Sequence, residues 1–514
     1  MSDRHRKTPS PQRQRSARLG ALGVLALVLA QLGAPAQAAP APTAALTQPC
    51  RIDGVPNELL CGSLKRPLNP AEPQGKQIEI HFLVAPAMAR NKQPDPVLLL
   101  AGGPGQGAIN LAPMMMSRLA RLNNRRDLVF IDQRGTGKSA PLQCPDEDQL
   151  PLAEALDGEA QLRRLESCRQ QLSQLPHGDL RYYTTTLAMQ DFEAVRVALG
   201  VPQWNLIGGS YGTRAGLEYL RLFPGQVRRT VLDGVAPADM VLPTSFSTDG
   251  QAALDASLLA CEKSPVCNQS YPKLRQEWAA LLQSVPRQIS VNHPLTGRPE
   301  SFKLSREMLL RGLRLPLYSP AAASGLPAAI HAASEGRFEG LMGLSGMIGG
   351  GKAGKLATGM HFSVVCAEDV PRIPGSADKP GADFGSADVQ LYTQVCKTWP
   401  RAQIAPEFYS LPPAQSPVLL LSGGADPATP PRHGERVAKA LAAGNAKWVQ
   451  HIVVPEAGHG VMGIGCMREL LFRFIDAKTD AQALPQDAAC ATQIPRPGAF
   501  LPVQAASAKA KVQP

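Results

Sequence analysis

The chemistry of this 514-residue chain is most legible in Gly208-Gly209-Ser210-Tyr211-Gly212, which stands between the apolar run Trp204–Ile207 and a helical stretch from Tyr211 to about Leu222. A serine flanked by glycines on a strand-to-helix turn is a nucleophile elbow. Small neighbours let the chain turn sharply, the strain lifts the hydroxyl above a sheet edge, and the helix amide dipole lies beneath it. A serine hydroxyl is a poor nucleophile until a base takes its proton. In this arrangement an acid and then a histidine follow the serine along the chain. Asp426, in Gly423-Gly424-Ala425-Asp426-Pro427, comes just after the apolar run Pro417–Leu421; His459, in Ala457-Gly458-His459-Gly460, comes just after Trp448–Val454. Ser210 is thus the expected nucleophile and His459 the general base. Asp426 is the acid that holds the imidazole tautomer and stabilises its cation. Asp233, after the run Val227–Leu232, is the alternative acid, one strand earlier. His451 falls inside an apolar run, and His433 falls too early in the order.

Ala101-Gly102-Gly103-Pro104-Gly105 follows directly on Pro96–Leu100. Successive glycines let backbone N–H groups approach a substrate oxygen. Gly103 is the first candidate and Gly102 the second to form an oxyanion hole with the N–H of Tyr211.

These loops need a scaffold that opens them on one side. Gln77–Val84 alternates like a strand, and Pro96–Leu100, Asp127–Ile131, Trp204–Ile207, Val227–Leu232, Pro417–Leu421 and Trp448–Val454 are short apolar runs of the kind buried in parallel sheets. Helical patterns separate several of them, at Met189–Leu199, Tyr211–Leu222, Gly434–Ala443 and Met467–Ile475. Alternating β and α elements imply a mostly parallel sheet flanked by helices, whose ligands sit at the carboxyl edge, and with the nucleophile elbow on it the chain resembles the α/β-hydrolase fold. Between about 240 and 405 the beat is lost, and helical stretches such as Gln251–Cys261 and Tyr271–Leu282 point to a largely helical cap inserted after the strand ending near Asp233; glycines 349–351 suggest a mobile loop there. The expected organisation is a signal peptide over 1–38, the first part of the core over 39–240 with an irregular leader to about residue 75, the cap over 241–405, the rest of the core over 406–495 and a disordered tail over 496–514.

Composition bounds the function. Hydrophobic residues make up 44% of the chain and charged residues 18%, enough apolar material for a sizeable core. The net charge of +11 is partly local, since six basic residues against one acidic precede Gly20. With 5% aromatics and no basic stripe, nucleic-acid binding is not expected. The basic start, the apolar run Ala21–Ala30 and Ala36-Gln37-Ala38 read as a secretory signal cleaved after Ala38. That run is shorter than the ~20 residues a membrane span needs, so stable membrane insertion is not expected. Export leads to the periplasm or the medium. Ten cysteines suit export and disulfides. Connectivity is open, and neighbour pairing (50–61, 144–168, 261–267, 366–396, 466–490) would close short loops. No C-x-x-C and no Cys/His cluster with ligand spacing occurs, so no metal or other cofactor is expected. Oligomeric state is not legible.

The chain also resembles the prolyl aminopeptidase and tripeptidyl aminopeptidase group of α/β-hydrolases. The likeness rests on Gly102–Gly105, Asp132-Gln133-Arg134-Gly135-Thr136-Gly137-Lys138-Ser139, Thr184-Thr185-Thr186 with Asp191 and Arg196, and the Asp426-Pro427 and Gly458-His459-Gly460 loops. Length, leader and cysteines are more similar to the secreted tripeptidyl type. The chain departs from the group at Ala101, where the group usually has His. The resemblance implies release of amino acids or short peptides from the amino end of peptide substrates. It also implies cap acids that bind the substrate ammonium, for which Glu368 and Asp369 are the candidates. Asp132 and Arg134 are expected to be structural. An esterase or lipase could use the same three residues without an ammonium site, and a non-catalytic binding protein would usually have lost one of them.

Overall fold

The computed structural model describes residues 46–145, 150–346 and 354–501. The expected signal segment, the glycine run 349–351 and residues 502–514 of the expected tail lie outside the described residues.

Nine strands form one sheet: β1 (Thr47–Cys50), β2 (Leu59–Pro67), β3 (Gln77–Ala85), β4 (Val97–Leu100), β5 (Leu128–Ile131), β6 (Trp204–Gly209), β7 (Val227–Asp233), then, beyond a separate hairpin of β8 (Arg287–Asn292) and β9 (Pro299–Leu304), β10 (Val418–Gly423) and β11 (Val449–Val454). Their order across the sheet is β1-β2-β3-β5-β4-β6-β7-β10-β11. The first three pair antiparallel, and β5 through β11 run parallel. This is the α/β-hydrolase fold.

Side-chain alternation explains the continuous apolar runs. Leu98 and Leu100 enter the core on one face of the sheet with Val129, Ile131, Leu206, Val418 and Leu420. Val97 and Leu99 enter the other with Leu128, Phe130, Ile207, Leu419 and Leu421. A strand covered by helices on both faces has no polar side, which is the signature of a buried parallel sheet. Parallel strands also end at one edge. The turns after β4, β6, β7, β10 and β11 therefore bring Gly102–Gly103, Ser210, Gly234, Asp426 and His459 to the same rim.

Residues 242–398 carry the insertion, with a core of its own around Leu254, Trp278, Phe302, Leu309, Phe338 and Leu341. Besides helices it contains the β8–β9 hairpin, a departure from the helical expectation. In Arg287–Asn292 every second residue is buried, so the strand was written in a period of two. Likewise the leader is not irregular, since β1 and β2 add to the sheet and Cys50–Cys61 joins them. Disulfides also link Cys144–Cys168, Cys261–Cys267, Cys366–Cys396 and Cys466–Cys490, the neighbour pairing. The expected tail does not become free at residue 496: Arg496 pairs with Glu456, and the Phe500 N–H donates to the Ser324 carbonyl while its own carbonyl accepts from the Tyr271 hydroxyl. Among the described residues no helix is long and apolar enough to cross a membrane.

Candidate active site

Ser210 occupies the turn between β6 and the helix Tyr211–Leu222 with φ at +55° and ψ at −126°. A non-glycine residue rarely takes that conformation, and where it does the surrounding structure must hold it there. The flanking glycines are required by space. A Cβ on Gly208 would stand 2.5 Å from the Gly212 carbonyl oxygen, and one on Gly212 would stand 2.1 Å from the Leu100 carbonyl oxygen. The Ser210 N–H donates to the Asp233 carbonyl at 2.9 Å, tying the elbow to β7.

Asp426 and His459 meet at this rim. His459 Nδ1 lies 2.8 Å from Asp426 Oδ2 and 3.1 Å from the Thr429 hydroxyl, which itself donates to Asp426 Oδ2 at 2.8 Å. The backbone N–H groups of Ala428 and Thr429 donate to Asp426 Oδ1. With acceptors on the Nδ1 side, the neutral imidazole carries its proton on Nδ1 and leaves Nε2 free to accept. The residue is held from the insertion too: its backbone N–H donates to the Tyr318 carbonyl at 2.9 Å, and the Tyr318 ring meets the imidazole edge-on at 5.1 Å. Burial alone would lower the pKa of His459, but the Asp426 carboxylate more than offsets it and the value is raised. Burial likewise opposes ionisation of Asp426, yet the imidazole and the hydrogen bonds it accepts bring its pKa below the ordinary value. Asp233, the alternative acid, points elsewhere, accepting the N–H groups of Val461 and Met462 and so fixing the loop that carries His459. Nothing in the sequence marks Thr429, a threonine three residues past the acid.

Ser210 stands between two cavities of about 330 Å³ each. One lies under the insertion and includes Gly103 and Tyr211. The other lies between the helix Ala108–Arg118 and the loop after His459, and includes His459 itself. Gly103 has φ at +110°, and a Cβ there would stand 2.6 Å from the Gly105 nitrogen, so only glycine fits. Gly102 must be set aside as an oxyanion donor, because its N–H already donates to Gln106 Oε1 at 3.1 Å. The loop is braced from the insertion by His361, whose ring nitrogens contact the Pro104 carbonyl at 3.1 Å and the Tyr392 hydroxyl at 2.8 Å. His361 carries no sequence signal, standing in a helix, Thr358–Glu368, that has other polar residues and no motif around it.

Glu368 and Asp369 require correction as ammonium binders. Both are fully buried and neither lines the two cavities around Ser210. Asp369 grips the Arg214 guanidinium with both oxygens, at 2.9 and 3.1 Å, and accepts the Leu242 N–H. Glu368 accepts the Thr185 N–H and hydroxyl, and the same hydroxyl meets the Tyr211 hydroxyl at 2.6 Å. The pair thus locks the last part of the insertion onto the helix behind Ser210. Burial pushes the Glu368 carboxyl up to about 7. Arg134, fully buried, bridges Asp191 and the carbonyls of Leu68 and Tyr182. Asp132 accepts the N–H groups of Ile109 and Lys138. Among the described residues no group of three His, Cys, Asp or Glu side chains could hold a metal ion.

Comparison with known proteins agrees with this architecture. A family model described as the alpha/beta hydrolase fold matches residues 95–305, which include Ser210, and one described as TAP-like protein matches residues 382–490, which include Asp426 and His459. The chain is 34% identical over 206 residues to a tripeptidyl aminopeptidase of Streptomyces coelicolor, an alignment covering 36% of this chain and 37% of that one. It is 25% identical over 433 residues to the serine protease Hip1 of Mycobacterium tuberculosis, covering 76% and 82%. A proline iminopeptidase of Xylella fastidiosa is 30% identical over 145 residues, covering 28% and 34%. The match thus spans little more than a third of the Streptomyces aminopeptidase.

Proposed function

We propose that this chain, an α/β-hydrolase similar to the tripeptidyl and prolyl aminopeptidases, is an exported serine exopeptidase that releases amino acids or short peptides from the amino end of peptides. The observation that carries the reading is the Asp426–His459 pair at 2.8 Å on the rim that bears Ser210, beneath an insertion that roofs the cavity. The basic, apolar and small-residue leader and the five disulfides support export.

In this reading His459 Nε2 takes the Ser210 hydroxyl proton as Oγ bonds to the carbonyl carbon. The N–H groups of Gly103 and Tyr211 hold the oxyanion. The C–N bond then breaks, the amine leaves with the proton from His459, and an ester remains on Ser210. Water, giving its proton to His459, attacks the ester carbon, and Ser210 Oγ departs with that proton. Since the imidazole must start neutral, activity falls as pH falls through its pKa. The raised value predicts that kcat/KM climbs through an ionisation above the ordinary imidazole value of about 6.5. A pH profile placing that limb well below 6.5 would contradict the coupling to Asp426.

An ammonium group needs a carboxylate, and Glu307 replaces the two acids set aside above. It lines the cavity under the insertion, is exposed, and among the described residues accepts only the Ser305 hydroxyl, at 2.9 Å, whereas Asp388 on the same wall is paired with Arg314. An acyl esterase is the second reading, favoured by the apolar wall of Met240, Leu242, Phe246 and Leu310.

The deciding experiment offers the mature protein a free-amine aminoacyl anilide, a free-amine tripeptidyl anilide, the acetylated forms of both, and a short acyl ester. Cleavage of the free-amine anilides, lost on acetylation, is expected. Glu307→Gln should raise KM about tenfold for free-amine substrates, the worth of one charge-assisted hydrogen bond. Ester cleavage alone, indifferent to a free amine, would leave the esterase.

A further inference from the structure

The cavity on the far side of Ser210 has no place in the steps above. We propose that it is a leaving-group subsite, which takes a bulky apolar side chain on the residue immediately after the cut and, at its mouth, a carboxylate held by Arg118. This rests on the peptidase reading of Ser210 and His459.

The side on which each half of a substrate lies follows from the proton. His459 must hand its proton to the departing amine, so the amine leaves along the imidazole. His459 lines the far cavity and does not line the cavity under the insertion, whereas Gly103 and Tyr211 line the latter and not the former. The acyl half therefore lies under the insertion and the leaving half lies over the helix Ala108–Arg118.

The walls of that second space are apolar and adaptable. Leu111, Met114 and Met115 come from the helix, and Met462 and Ile464 from the loop after His459. Methionine, unbranched and polarisable, fits side chains of varied shape. The Met462 methyl lies 4.0 Å from where a Cβ on Gly209 would stand, beside the nucleophile, and Met114 is 39% exposed, an apolar side chain without a cover. Ala101 adds only a methyl group to the wall, which leaves the space open. At about 330 Å³ the cavity is of a size that holds one large side chain with adjoining backbone.

Arg118 supplies the charge. Its guanidinium carbon lies 3.9 Å from where a Cβ on Gly463 would stand, ordinary contact distance, so it rests against the loop after His459 at the rim. It is exposed, lines the cavity, and among the described residues has no carboxylate partner. The arginines deeper in the fold, such as Arg134 and Arg214, are all spent on acids. Arg118 is ten residues along the helix from Ala108, about 15 Å at 1.5 Å per residue. An extended chain covers ~3.3–3.6 Å per residue, so a carboxylate within about four residues of the cut can reach it. That carboxylate is either the free carboxyl end of a short peptide or an acidic side chain.

The test uses the whole mature protein and peptides with one fixed amino-terminal part. Their leaving parts begin with Leu or Ala and end three residues on, as a free carboxylate, as an amide, or as an amide preceded by Asp. Wild type should favour Leu over Ala and the carboxylate forms over the neutral amide, each about tenfold in kcat/KM. Arg118→Gln should abolish the second preference and keep the first; Ala101→Leu should abolish the first. Whether the free end or the Asp carries the second preference identifies the source of the carboxylate. Equal rates across the wild-type series, with the free-amine anilides still cleaved, would overturn the subsite and leave the peptidase standing. Failure on every free-amine anilide and peptide would sink the peptidase reading and this subsite with it.

Discussion

Ser210→Ala should abolish turnover, a loss on the order of 10⁶ in kcat, and Asp426→Asn should cost on the order of 10⁴ while the fold survives. The second figure follows from the geometry around Nδ1. An asparagine could present its amide nitrogen to His459, favouring the tautomer with the proton on Nε2, where it cannot accept from Ser210. Thr429 and the Ala428 N–H would still hold the side chain in place, so the loss falls on kcat rather than on folding. The same change should bring the acidic limb of the pH profile down toward the ordinary imidazole value, because the charge that raises His459 is gone. Asp233→Asn is the contrasting variant. Its carboxylate lies on the N–H groups of Val461 and Met462, so it should act through the position of the His459 loop and cost far less than Asp426→Asn. Steady-state kinetics on the three variants, with circular dichroism to confirm folding, separates these outcomes. Equal losses for Asp233→Asn and Asp426→Asn would contradict the assignment of the acid.

Arg214→Met should destabilise the protein by about 3–5 kcal/mol, the cost of stranding a buried partner. Arg214 has no exposed side-chain surface, and its guanidinium meets Asp369 at 2.9 Å and Glu368 at 3.4 Å. Removing it leaves the Asp369 carboxylate with only the Leu242 N–H and no counter-charge, in a site closed to water. The joined variant Arg214→Met with Asp369→Asn should recover a large part of that loss, since the stranded charge is then gone. Urea unfolding of the single and double variants measures both quantities. A single variant as stable as wild type would mean that the cluster contributes nothing net. The cluster joins the helix behind Ser210 to the segment before residue 370, so a drop in activity that tracks the loss of stability is also expected.

Some of this was readable along the chain because it depends on neighbours. The elbow needs small residues at 208 and 212 wherever the strand-to-helix turn is made, and the clashes at 2.5 and 2.1 Å say why. The apolar runs of β4, β5, β6 and β10 announce strands buried on both faces, and parallel strands place the loops after them at one rim. So Ser210, Asp426 and His459 could be picked out by the loops they occupy, and the cysteines pair with their neighbours across short loops. The hairpin at 287–304 is equally local, marked by alternating burial within a region whose other segments are mostly helical.

What only the tertiary structure decided depends on partners far apart in sequence. Glu368 and Asp369 looked like acids free to meet an ammonium group, yet their partner Arg214 stands 154 and 155 residues earlier, on a helix that the sequence marks only as following the elbow. Gly102 and Gly103 are alike in sequence and are told apart by a contact that is local yet leaves no mark in the sequence, the side chain of Gln106 four residues on taking the N–H of Gly102. His361 reaches the Pro104 carbonyl across 257 residues, and the two cavities beside Ser210 exist only once the insertion and the helix Ala108–Arg118 have closed around it. Backbone geometry and strand burial are short-range properties and leave a mark in consecutive residues. The partner of a buried charge, and the shape of the space a substrate fills, are set by how distant segments pack.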